Sequence, residues 1–167
     1  MDLTLLKKKD DAYYTTEGSG LFSGFFHLYY PSGIIAEEGQ MLDGKIHGKL
    51  RLYSEEGVNI VEAEYSHGVK HGFVNTYYSS GNLKSVFQLV NGKRDGRMRM
   101  WYDNGGKKIE ANYKDEMLHG KQIKYFRNGK VNVEADYVEN VEQGYKRICN
   151  EEGKVIFEGY FENGELL

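Results

Sequence analysis

Cysteine, proline, long apolar runs and a decisive net charge are all scarce or missing in this chain of 167 residues. The single cysteine, Cys149, excludes an internal disulfide framework and fits a reducing compartment. No apolar stretch approaches the roughly 20 residues that a bilayer-crossing helix needs. The N-terminus, Met1-Asp2-Leu3-Thr4-Leu5-Leu6-Lys7-Lys8-Lys9, puts its positive charge after the apolar residues, the reverse of a secretory leader. The formal net charge of −3 is too small to imply nucleic-acid or membrane affinity by itself. A soluble cytoplasmic protein is the expectation, with no nucleic-acid partner and no strong membrane signal.

One proline stands against 21 glycines, 14 tyrosines and 8 phenylalanines. Glycine bends a backbone without steric cost, and aromatic residues favour pleated, half-buried surfaces. Together they argue for many short strands joined by tight turns. Disorder is excluded by the same aromatics, because disordered chains are poor in them. The length suits one domain.

The glycines are periodic. They stand at 24, 48, 72, 96, 120 and 144, a spacing of 24 residues without insertion. A second series follows at Gly33, Gly57, Gly81, Gly105, Gly129 and Gly153. A third, Gly44, Gly68, Gly92 and Gly164, fails at Glu116 and Asn140. Between the first two series runs the column Tyr29, Tyr53, Tyr77, Trp101, Tyr125 and Cys149. A later column reads Met41, Tyr65, Leu89, Tyr113, Tyr137 and Phe161, and two residues before it stand Gly39, Ala63, Phe87, Ala111, Ala135 and Gly159.

Each copy reads as a hairpin. Arg97 to Tyr102 and Val131 to Tyr137 alternate with period two, as strands do. Ser80-Gly81, Asn104-Gly105 and Asn128-Gly129 supply turns that tolerate positive φ. Asp43-Gly44, Asn91-Gly92 and Asn163-Gly164 lead into the next copy. The leading glycine lets the sheet bend or lets backbones approach closely. The expected fold is all-β: a single elongated, twisted antiparallel β-meander of six two-strand repeats, 24–47, 48–71, 72–95, 96–119, 120–143 and 144–167. Residues 1–23 match the unit poorly and read as an N-terminal cap, degenerate or partly disordered. Ala12–Thr16 is a candidate capping strand, and the charged start is loose or helical.

The motif Gly-x4-[Tyr/Trp]-[Tyr/Phe]-x2-Gly, followed by Glu-x2-Tyr-x2-Gly-x3-Gly, closely resembles MORN repeats. Gly120 to Gly129, with Glu134 and Tyr137 following, is the clearest example, and the resemblance covers 24–167. The chain looks most like the bacterial MORN-variant branch, whose members are often described as antitoxin or immunity components. What the resemblance implies is a non-catalytic binding module that neutralises a cognate toxin encoded nearby. In eukaryotic relatives the implied roles are membrane-surface scaffolding and partner-peptide binding, which is the alternative. Departures from the pattern fall at Glu116, Asn140 and Cys149.

No catalytic, cofactor-binding or metal site is expected. His47, His71 and His119, with Asp95 in the same place, precede repeat glycines. Equivalent residues of neighbouring copies lie two strands apart, roughly 9.6 Å, too far to share one ion. They read as turn-packing residues. A nucleophile at Cys149 would need an activating neighbour, and its repeat position predicts core or edge packing instead. The column Glu38, Glu62, Glu110, Glu134 and Glu158, interrupted by Val86, reads as solvent-facing and paired with Lys or Arg across strands.

Charge counted by copy is −2, −1, +2, +1, 0 and −2, so the middle is mildly basic. Arg97 and Arg99 alternate with Trp101 on one strand face, and Arg and Trp are over-represented at binding hot spots. The uneven column Tyr30, Ser54, Tyr78, Tyr102, Phe126 and Asn150 suggests half-exposed aromatics. The expected partner-binding residues are Tyr30, Tyr78, Arg97, Arg99, Trp101, Tyr102, Glu116, Met117 and Phe126. The open sheet edges also allow an edge-to-edge homodimer.

Overall fold

The computed structural model describes residues 6–9, 12–15 and 20–167. Fourteen strands form one open antiparallel meander in chain order, and no helix occurs among the described residues. The all-β expectation is met. The chain divides into two compact units, Met1–Gly81 and Asn82–Leu167. The first holds β1 (Leu6–Lys9) and β2 (Ala12–Thr15), a separate two-stranded sheet, then β3 (Gly24–Tyr29), β4 (Ile35–Leu42), β5 (Lys45–Tyr53), β6 (Asn59–Ser66) and β7 (Val69–Tyr77). The second holds β8 (Leu83–Val90), β9 (Lys93–Trp101), β10 (Lys107–Lys114), β11 (Met117–Leu118), β12 (Gly120–Tyr125), β13 (Val131–Val138), β14 (Val141–Cys149), β15 (Val155–Glu162) and β16 (Glu165–Leu166). Leu6–Lys9 is therefore strand, neither loose nor helical. Met1 to Leu5 and Thr16, also part of the cap reading, lie outside the described residues.

In four copies the leading glycine, Gly48, Gly72, Gly96 or Gly144, sits inside a strand, whereas Gly24 and Gly120 open theirs. In β5, His47, Gly48 and Lys49 stand opposite the single residue Gln40, because Met41 pairs with Ile46 and Gly39 with Leu50. Such a bulge bends the strand and raises its local twist. Gly72 holds the equivalent bulge of β7 at φ +112, and a Cβ there would collide with the Glu64 carboxylate. Only glycine satisfies both demands.

Two kinds of turn alternate. Within a copy, a short loop closes with bonds such as Tyr102 N–H to the Gly106 carbonyl at 2.8 Å and Gly105 N–H to the Tyr102 carbonyl at 3.0 Å. Gly105 takes the positive φ there while Asn104 does not, so one left-handed residue suffices. Between copies the turn is two residues long and both have positive φ, as in Asp43 (49°) with Gly44 (72°). That is the primed hairpin turn whose twist matches its strands. Glu116 and Asn140 adopt the same conformation at φ 72° and 71° without being glycine.

The core runs down one column, counting the leading glycine as repeat position 1. Position 3 reads Phe26, Leu50, Val74, Met98, Gln122 and Lys146. Five pair with a small residue across the hairpin, Phe26 with Gly39, Leu50 with Ala63, Met98 with Ala111, Gln122 with Ala135 and Lys146 with Gly159, while in the third copy the small-residue column holds Phe87. Large beside small lets one sheet face close on itself. At Gly39 a Cβ would lie 2.9 Å from Leu50 Cδ1 and 3.2 Å from Phe26 Cε1. In the first unit Phe22, Phe26, Met41 and Leu50 form the buried cluster, flanked by Tyr13, Ile46, Leu52 and Tyr65.

The repeat also reaches back past Gly24. Gly44 N–H donates to the Phe22 carbonyl at 2.7 Å, as Gly68 N–H does to Ile46 and Gly164 N–H to Glu142 one and five copies later. Residues 20–23 therefore form the closing sixth of a preceding copy, with Gly20 in phase with the third glycine series.

Candidate interaction surface

Directly paired residues of antiparallel strands share a sheet face. In the first unit the pairs His27–Glu38–Arg51–Glu62–Asn75 place one row on the face opposite the buried column. In the second unit the matching row is Val86–Arg99–Glu110–Ile123–Glu134–Arg147–Glu158. The glutamate column is thus paired with cations as expected, but it is half-buried: side chains of Glu38, Glu62, Glu110 and Glu134 are 23, 16, 14 and 18% exposed.

Arg51 binds a carboxylate on each side, Glu62 through Nε at 2.8 Å and Glu38 through a terminal nitrogen at 3.1 Å. The aromatic column completes the arrangement. Tyr53 donates its hydroxyl to Glu38 at 2.6 Å, and Tyr125 donates to Glu110 at 2.8 Å, each reaching back fifteen residues. The Tyr53 hydroxyl bond, with Arg51 beside it, holds the Glu38 carboxyl below its ordinary value. Glu62 is lowered chiefly by Arg51, Glu110 chiefly by Tyr125, and Glu134 chiefly by Lys121. Burial, reinforced by Glu110, pushes the Tyr125 phenol up to about 12. Val86 and Trp101, exceptions to these two columns, stand fifteen residues apart, whereas Cys149 breaks the aromatic column with Glu134 in place.

The histidine ladder belongs to the turns. His47 Nδ1 accepts the His67 N–H at 3.5 Å, and Asp95 accepts the Asp115 N–H at the same distance. Gln143 and Ser23 occupy the same repeat position and do likewise, to Asn163 at 2.9 Å and Asp43 at 2.8 Å. Four residue types thus supply the acceptor at this position, whereas His119 Nδ1 is buried without a hydrogen-bond partner among the described residues. Among the described residues no group of three or more His, Cys, Asp or Glu side chains comes together in a way that could hold a metal. Cys149 is a free, buried thiol.

The nine residues expected to bind a partner lie in several places. Tyr30 is half-buried and its hydroxyl bonds the Tyr53 carbonyl at 2.6 Å, and Tyr102 repeats this with the Tyr125 carbonyl at 2.8 Å. These hydroxyls bolt one copy to the next. Tyr102 also lies under the Arg127 guanidinium at 5.0 Å and the Lys108 ammonium at 5.4 Å. Tyr78 and Phe126 are half-buried at the same loop position of their copies, and Phe126 N–H closes its loop on Lys130. Glu116 and Met117 sit at the opposite end of the hairpin. The Glu116 carboxylate binds the Arg94 backbone N–H and its Nε, the latter at 2.8 Å. Asn140 repeats the backbone bond to Leu118 N–H at 2.8 Å. The two departures from the third glycine series therefore replace glycine with side chains that stitch adjacent copies.

Only Arg97, Arg99 and Trp101 share a strand. Arg97 contacts Glu110 at 3.2 Å, Arg99 reaches the same carboxylate at 4.0 Å, and Lys107, paired with Trp101, reaches it at 3.4 Å. Arg97, Arg99 and Lys107 remain 57, 46 and 57% exposed. The sequence reading missed Glu110 as their hub and missed Phe25 and Phe73, which are 69 and 50% exposed at repeat position 2. Their signal was the shared position: Phe25, Lys49, Phe73, Arg97, Lys121 and Tyr145 are all large.

The family model described as the MORN repeat variant matches residues 94–115 and 118–139, two adjacent copies in phase with the 24-residue period. The chain is similar to that repeat over these two segments, both within the second unit. No curated protein matches the chain.

Proposed function

We propose that this chain is a protein-binding repeat module without catalytic activity, and within that class a bacterial antitoxin or immunity-type protein that neutralises a cognate toxin by direct contact in the cytoplasm. One observation carries the first part. At repeat position 2 large side chains stand exposed on the sheet face away from the buried column, Phe25 and Phe73 in the first unit and Arg97 in the second. Aromatic and arginine side chains in such settings supply most of the energy of protein interfaces. The similarity to the MORN repeat variant supports the same reading. The toxin partner follows from the resemblance to the bacterial branch alone.

Co-expression with the product of the adjacent gene tests it. The expected result is co-purification and relief of toxicity, both weakened at least tenfold by a combined Phe25→Ser and Phe73→Ser change. Failure to co-purify or to relieve toxicity sinks the toxin reading. Salt-sensitive flotation with anionic liposomes would favour a membrane-surface adaptor instead.

A further inference from the structure

The repeat supplies its own standard for how a cation on this face is neutralised. Arg51 lies between Glu38 and Glu62, and Arg147 lies between Glu134 and Glu158. Arg99, at the same repeat position, lies between Val86 and Glu110. One carboxylate is missing from its row. Two residues earlier on the strand the copies agree: Lys49 ion-pairs with Glu62 at 3.3 Å and Lys121 with Glu134 at 2.5 Å, as Arg97 does with Glu110 at 3.2 Å. Three cations, Arg97, Arg99 and Lys107, therefore share the single Glu110 carboxylate. An open depression of about 300 Å³, lined by Arg97, Glu110, Asn112, Lys121 and Ile123 among others, lies beside them.

We infer that Arg97 and Arg99 form a two-point socket for an acidic, extended segment of a protein partner, one of whose carboxylates takes the place that Val86 leaves vacant in the chain's own glutamate column. The inference rests on the protein-binding reading and specifies the chemistry of the partner. A carboxylate is favoured over other anions because the neighbouring copies use that group beside the equivalent arginines. An extended segment is favoured because Arg97 and Arg99 are alternate residues of one strand, roughly 6.8 Å apart along it, which matches side chains two residues apart on a second extended chain. The half-neutralised arginines add attraction at long range and fix register at contact.

Fluorescence anisotropy of the full chain with a fluorescein-labelled octaglutamate peptide, at about 50 mM salt where screening is weak, tests the socket. Octaglutamate should bind saturably and octaglutamine should not. Val86→Glu restores the missing internal carboxylate and should weaken octaglutamate binding about tenfold. Arg99→Gln should weaken it about fivefold while the circular dichroism spectrum stays unchanged. Lys154→Gln, an equal change in net charge on the last copy, should stay within about twofold. The socket is refuted if wild type shows no saturable octaglutamate binding. It is also refuted if Val86→Glu and Arg99→Gln bind like wild type, or if Lys154→Gln loses as much as they do. Tighter capture by phosphatidylserine vesicles or duplex DNA, lost in Val86→Glu, would reassign the site away from peptides. Failure of octaglutamate with the adjacent-gene product still co-purifying removes the socket and leaves the proposed function standing. The converse pair of results removes the toxin partner and leaves the socket.

Discussion

Replacing Arg51 by glutamine removes one cation from between two carboxylates. Arg51 makes charge-assisted bonds at 2.8 and 3.1 Å to Glu62 and Glu38, and these carboxylates are only 16 and 23% exposed. Bonds to charged groups contribute about 1.5–3 kcal/mol each when shielded, but fully exposed pairs contribute about 1 or less. Arg51 is itself 40% exposed, so solvent screening trims the sum to about 2 kcal/mol. With roughly 2 kcal/mol per molar urea for a chain of this size, the urea midpoint should fall by about 1 M at neutral pH. Arg99→Gln is the internal control. Its single carboxylate lies at 4.0 Å and is already served by Arg97 and Lys107, so its midpoint should move by less than about 0.25 M.

The pH dependence follows in sign. Glu38 and Glu62 have folded values below the ordinary 4.5. Stability from a depressed carboxyl is present above the unfolded value and is lost as pH falls through the folded one. The gap between wild type and Arg51→Gln should therefore be full at neutral pH and close progressively below 4.5. Urea melts followed by circular dichroism at neutral and acid pH measure it. Equal midpoint shifts for the two arginine variants, or a gap that survives acidification, would refute the reasoning.

Leu50→Ala, deleting a buried side chain packed with Phe26 and Met41, should cost about 3 kcal/mol, whereas Gln122→Leu in the same column should gain about 1 kcal/mol; thermal melts decide both. Gly129→Ala, with open space around it but φ at +85, should cost about 1 kcal/mol from backbone strain alone. Gly20→Ala, with equal space and no such φ, should be neutral in the same melt. Ultraviolet titration should find the Tyr125 phenol near 12, and Glu110→Gln should lower it while burial keeps it above 10. Because that folded value exceeds the unfolded 10, stability should decline as pH rises past 10.

The period and the two-strand unit were legible because glycine is demanded by backbone geometry at fixed places, and geometry repeats with the fold. The buried column was not legible. Phe26, Leu50 and Val74 give way to Gln122 and Lys146, so no single chemical type marks it. What recurs there is a size relation with Gly39, Ala63, Ala111 and Ala135, and that relation appears only once strands are in register. Glu116 and Asn140 stood out because they broke a glycine series, and Glu116 was expected to bind a partner. Their side chains bond the backbone N–H groups of Arg94 and Leu118, a structural use that sequence spacing of 22 residues does not announce. Residues 20–23 were not legible because a sixth of a copy carries only one of the three glycines. Val86 was visible as an exception. Its meaning needed Arg99 placed beside it and Trp101 placed in the column that elsewhere answers the glutamate.

The turn caps give the array a direction. Ser23, His47, Asp95 and Gln143 each supply an acceptor to the turn of the following copy, at Asp43, His67, Asp115 and Asn163. In these four bonds the dependence runs from earlier copy to later, whereas Glu116 and Asn140 return a bond to the backbone of the copy before them. Trimming the chain from its C-terminal side leaves every surviving one of these turns with its acceptor. Trimming from the N-terminal side can strip the acceptor from the first turn that remains, and a cut at Gly24 does so at Asp43. A fragment that keeps the Asp43 turn capped therefore has to include Ser23, and one that starts at His47 keeps the cap of the His67 turn.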